Sequence, residues 1–97
     1  MEVRFGDDRL DRLELGSGGD GGFPASVVRA FRKRMQQIRA ADDERVFYVL
    51  KSLHYEKLHD RPRQHSMRLN DQWRLILEYE SVGRNKIAVI VAIEDYH

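Results

Sequence analysis

The sequence predicts an α+β domain in which early helices pack on a small, mostly antiparallel sheet of three to five strands. Three observations carry this expectation. Val27, Phe31, Met35 and Ile38 recur at spacings of four, four and three, an apolar stripe along one helix face. The second half of the chain holds two hydrophobic strands, and from Lys86 to Ile93 every position after Lys86 is apolar. Turn chemistry at Asn70-Asp71, and again from Ser81 to Asn85 through Gly83, joins these strands into a consecutive meander.

The elements follow in order. Glu2 to Phe5 alternates weakly and suits a short first strand, added at the sheet edge. Asp7, Asp8 and Leu10 to Leu15 read as a brief helix. Residues 16–22 contain five glycines in seven positions, and each glycine loses more backbone entropy on ordering than any other residue, so a flexible loop is expected. The GxxxxGK[ST] pattern of a phosphate cradle is missing there. Pro24 fits the first turn of the striped helix, which runs to about Ala40. Asp42 suits an N-cap for a short helix from Asp43 to Leu50. Tyr55 to Leu58 begins the sheet, and residues 59–64 form a turn. The next strand sets His65, Met67 and Leu69 against Ser66, Arg68 and Asn70. Its successor sets Trp73, Leu75, Leu77 and Tyr79 against Arg74, Ile76 and Glu78.

At 97 residues the chain is expected to be a single domain, with little core to spare. It is 41% hydrophobic and 34% charged, which suits a globular protein. No run of ~18 apolar residues predicts a membrane span. Glu2, Val3, Arg4 and Phe5 do not resemble a secretory leader. Cysteine is absent, which excludes disulfides, thiolate metal sites and cysteine nucleophiles. A cytoplasmic location and no membrane partner are expected.

Charge is segregated along the chain. The formal total is +1, yet residues 23–40 carry five bases and no acid, and residues 51–74 carry six bases against three acids. Folded side by side, these blocks would make one cationic face suited to a phosphate backbone. Arg32 and Lys33, off the apolar stripe, belong to the first block and are candidates for such contact. A solvated helix face accounts for them equally well.

No acid or cysteine completes a ligand pattern with His54, His59 and His65, and no metal is expected. Cleaving a phosphodiester without metal requires a group that takes a proton, one that returns it, and positive charge on the phosphorane. In RNA the 2′-hydroxyl can be the nucleophile, so histidine, tyrosine, aspartate and arginine suffice. Asp95, Tyr96 and His97 close the chain at one sheet end. Arg68 and Arg74 lie on nearby strands, and His59, Arg61 and Arg63 lie on the adjoining turn. As the last residue, His97 sits beside the free α-carboxylate, which could hold its ring.

The motifs Glu56-Lys57-Leu58, then S-M-R-L-N-D-Q-W-R-L at 66–75, and the closing Glu94-Asp95-Tyr96-His97 resemble the HigB-type toxins of bacterial type II toxin–antitoxin systems, within the RelE/ParE superfamily. Phe23-Pro24 opening an Arg-rich helix, and Ala40-Ala41-Asp42 after it, fit the same pattern, so the resemblance spans residues 23–97. It implies a toxin that enters the ribosomal A site and cleaves mRNA without metal or other cofactor. It also implies neutralisation by a helix-turn-helix antitoxin of the HigA type in a hetero-oligomeric complex. Residue by residue, it places His97, Tyr96 and Asp95 in the active site and Arg74 against phosphate. The chain departs from many relatives in carrying His59 where they carry lysine and Glu56 where some carry histidine. Arg61 and Arg63 keep cationic capacity on that turn, and His59 becomes a second proton-transfer candidate. Two other readings stand beside this one: a ParE-like inhibitor of DNA gyrase, and a non-catalytic RNA-binding module acting through its cationic face.

Overall fold

The weak alternation at the N-terminus does form a strand, β1 (Glu2–Phe5). In the computed structural model, which describes residues 1–96, it is followed by α1 (Asp8–Leu15), α2 (Ala25–Ala40) and α3 (Arg45–Val49). A single 3-10 turn, Lys51–Leu53, leads into β2 (Glu56–Lys57), β3 (His65–Arg68), β4 (Trp73–Val82) and β5 (Asn85–Asp95). The sheet order is β1-β5-β4-β3-β2. The four later strands form the expected antiparallel meander, and β1 adds to the far edge parallel to β5, Glu2 opposite Ile87 and Phe5 opposite Ile90.

Sequence chemistry explains the helix ends. Asp7 caps α1 by accepting from the Arg9 backbone N–H at 2.9 Å. Gly16 closes it at φ 78°, a left-handed conformation that glycine adopts without steric cost. The helix from Ala25 starts one residue after Pro24, which is its N-cap. The expected cap at Asp42 is corrected: α3 begins only at Arg45, and the carboxylate of Asp43 takes the Arg45 backbone N–H at 2.9 Å. The helix thus starts two residues later than the expected Asp43, with Glu44 as its N-cap. Between Val82 and Asn85 the hairpin turn is Gly83-Arg84, with Gly83 alone at positive φ, 61°.

The apolar stripe of α2 is fully buried, Val27, Phe31, Met35 and Ile38 all at 0% exposure. It packs with Leu10 and Leu13 of α1 on one sheet face made by Met67, Leu75, Leu77, Ala88 and Ile90. Burying each such side chain contributes about 1.5–3 kcal/mol. A register shift between Ile76 and Leu77 opposes them to Ala92 and Ile90, so Val91 is the extra residue of a β-bulge. The bulge restores alternation, leaving Ile93 on the core side and Glu94 on the other.

That other face carries Ser66, Arg68, Arg74, Ile76, Ala92 and Glu94, in register as Ser66–Ile76–Ala92 and Arg68–Arg74–Glu94. The turn at residues 58–64 reaches over it. Arg61 bonds Glu94, and the Gln64 side-chain amide donates to Glu78 at 2.8 Å. Among the described residues no helix is long and apolar enough to cross a membrane.

Candidate active site

Pairing in register brings chemistry-bearing side chains from three strands to one place. Leu58, Arg61, Ser66, Arg74, Ile76, Glu94, Asp95 and Tyr96 line a cleft of about 190 Å³. Its position follows from the strand ends. β4 starts at Trp73 opposite Asp95, so Arg74 and Glu94 are neighbours across the ladder. The ladder extends one step further, with Tyr96 N–H donating to the Gln72 carbonyl at 2.7 Å. Tyr96 is thereby fixed at the mouth although its side chain is exposed.

Arg74 is the centre of the group. Its guanidinium carbon lies 4.0 Å from the Tyr96 ring centroid, a cation–π contact that holds both groups. Arg74 Nη1 donates to the His54 carbonyl at 3.5 Å and stands 3.9 Å from Glu56 Oε1. Arg68, the next cation along the row, pairs with Asp71, and its Nη1 lies 3.4 Å from His54 Nε2. His54 itself takes a left-handed backbone, φ 45°, unusual for a residue with a side chain. Asp95 receives the Gln72 side-chain amide at 2.9 Å.

The two basic blocks of the sequence do meet, at one point. Arg34 of α2 donates through Nε to the Arg68 carbonyl at 2.9 Å. Burial, with Arg68 alongside, holds the Arg34 pKa below the usual guanidinium range. The rest of the helix block is directed elsewhere. Arg32 donates to the Leu13 carbonyl at 3.1 Å, at the end of α1. Lys33 is exposed on α2 and does not line the cleft. Arg39 forms a two-bond pair with Glu14 at 2.9 and 2.7 Å, which raises its pKa.

The turn residues divide similarly. Arg61 lines the cleft, whereas Arg63 lines a separate groove with Glu44, His65, Glu78 and Lys86. His59 is exposed and outside the cleft lining. His97 lies outside the described residues. Four lining groups went unmarked as site residues by sequence reasoning: Leu58, Ser66, Ile76 and Glu94. Alternation put Ser66 and Ile76 on this face, which was the available signal. Glu94 carried none beyond its place in the terminal motif.

Among the described residues no three histidine, aspartate or glutamate side chains are grouped to hold a metal ion. No protein-family model and no curated protein sequence matches the chain. A solved structure does: a YoeB/ParE toxin from Agrobacterium tumefaciens matches with a TM-score of 0.62 over 100% of both chains, at 14% sequence identity. The chain has a RelE/ParE-like fold. The α+β expectation is therefore met at the level of architecture, four antiparallel strands with helices on one face and a parallel strand at the edge. At this identity the RelE/ParE-like likeness concerns backbone path, and the side chains of the cleft have to be argued from their own chemistry.

Proposed function

We propose that the chain is the toxin of a type II toxin–antitoxin pair, of HigB type, acting as a ribosome-dependent, metal-independent mRNA endoribonuclease that stops translation. The observation that carries this reading is the clustering of Arg74, Tyr96 and Asp95 at the mouth of one cleft, with Arg61 across it. In the reaction the 2′-oxygen of RNA attacks the adjacent phosphorus and gives up its proton to a base. The bond from phosphorus to the 5′-oxygen then breaks, and that oxygen takes a proton, leaving a 2′,3′-cyclic phosphate and a 5′-hydroxyl.

Arg74 and Arg61 supply positive charge to the phosphorane, and Arg68 extends the row along the backbone. Tyr96 offers an exposed ring on which a base can stack or a hydroxyl for proton transfer. Asp95 orients its neighbour, and His97 is assigned the proton transfer, with His59 as a second candidate. Arg63, Arg32 and Lys33 act as peripheral contacts to ribosomal RNA, given their places away from the cleft. A helix-turn-helix antitoxin of the HigA type is the expected partner, acting in the cytoplasm.

The test is to express wild type, His97→Ala and Arg74→Ala without antitoxin and map mRNA 5′ ends. New ends are expected with wild type alone, and cleavage should fall 100-fold or more, roughly the 10²–10⁴ that positioned proton transfer contributes. Equal growth arrest by all three proteins with no new ends would overturn the reading. A second reading is supported by one feature: each cation flanking the cleft already has a carboxylate, Arg61 with Glu94, Arg68 with Asp71 and Arg74 near Glu56. A site so neutralised suits a ParE-like gyrase inhibitor, which needs no proton transfer. Loss of gyrase supercoiling on adding purified protein would select it.

A further inference from the structure

We infer that Glu94 gates the cleft by holding the Arg61 guanidinium across it, and that a phosphodiester enters by taking that guanidinium from the carboxylate. The inference rests on the phosphodiester reading above and gives a role to a residue outside the proposed catalytic set.

Arg61 Nη1 and Nη2 donate to the two Glu94 oxygens at 2.8 and 3.0 Å. This fork-on-fork geometry is also the one in which arginine binds phosphate. Arg61 comes from the turn after β2 and Glu94 from β5, so the pair crosses the face bearing Ser66, Arg74 and Ile76. Arg68–Asp71, by contrast, joins residues three apart and spans nothing.

Two features make the pair a latch and not a fixed brace. Its side chains are 40% and 39% exposed, so solvent screens it and a competing anion can reach it. In the wall of the same cleft lies Ser66, 1% exposed, whose Oγ has no hydrogen-bond partner among the described residues. A buried hydroxyl without a partner is costly to leave unmade, and a ligand admitted beside it can supply one.

The experiment has two arms. In the first, inorganic phosphate is titrated into wild type, Glu94→Gln, Arg61→Ala and the double variant, followed by the backbone NMR signals of Ser66 and Arg74. Glu94→Gln should bind phosphate up to about fivefold tighter, the scale of an exposed ion pair, and the gain should vanish when Arg61 is alanine. Equal affinity of wild type and Glu94→Gln, or an undiminished gain without Arg61, overturns the gate. In the second arm, binding is measured to ribosomes programmed with mRNA that is 2′-O-methylated in the A-site codon, which blocks attack. Glu94→Gln should again bind more tightly. Failure of every protein to bind these ribosomes while the phosphate arm holds overturns the mRNA reading and leaves the gate standing.

Discussion

His65 shows how much a single residue's setting depends on register. Its ring stacks on Tyr55 at 5.3 Å, 7° from parallel, and meets Tyr79 edge-on at 5.4 Å. The two tyrosine hydroxyls bond each other, and His65 Nδ1 is buried without a partner among the described residues. Burial lowers the His65 pKa, outweighing the nearby Glu44 carboxylate, while Lys57 and Lys86 push the same way as burial. A histidine that is harder to protonate when folded leaves the unfolded chain binding more protons. Stability from this site is thus complete above the unfolded value of about 6.5 and is lost as pH falls below it. Urea melts at pH 7.5 and 5.5 should show wild type losing stability at the lower pH and His65→Phe losing less. Alternation sets His65 on the strand side of Met67 and Leu69, and the ring does pack. Nothing in its neighbours in sequence could show the stack, because Tyr55 and Tyr79 arrive through the pairing of β2, β3 and β4.

The helical elements were legible by period and less so by boundary. The spacing of Val27, Phe31, Met35 and Ile38 identified the buried face of α2, and all four are fully covered. Phe31→Ala should cost about 3–5 kcal/mol, measurable as a lowered urea midpoint with unchanged slope. The start of α3 was misread because Asp42 has the chemistry of a cap, whereas the helix is preceded by Glu44, which makes no side-chain cap bond, and it is Asp43 whose carboxylate meets the Arg45 amide. Cap energetics can be tested at α1, where Asp7→Ala removes the bond to the Arg9 amide. A loss of about 1 kcal/mol is expected, or roughly 4–8 °C in melting temperature. Charge along α2 was legible as a total and not as a direction. Glu14 neutralises Arg39 and the α1 carbonyl end occupies Arg32, contacts set by how the two helices lie together.

For the molecule as a whole, the sheet meander and its helical cover followed from alternation, turns and the run in β5. The composition of the cleft did not. It depends on the bulge near Val91, which turns Glu94 toward Arg61, and a bulge leaves no mark in an uninterrupted apolar run. The edge strand also matters at this scale. Removing residues 1–6 would bare the outer edge of β5, and such an edge pairs with other chains. Concentration-dependent self-association by sedimentation is the expected outcome, with the intact chain as the control. β1 joins residues 2–5 to 87–90, nearly the longest separation the chain permits. During synthesis β1 therefore emerges long before its partner exists, and loop closure across the whole chain has to precede their pairing. Completion of the sheet at this edge is thus a late event in folding.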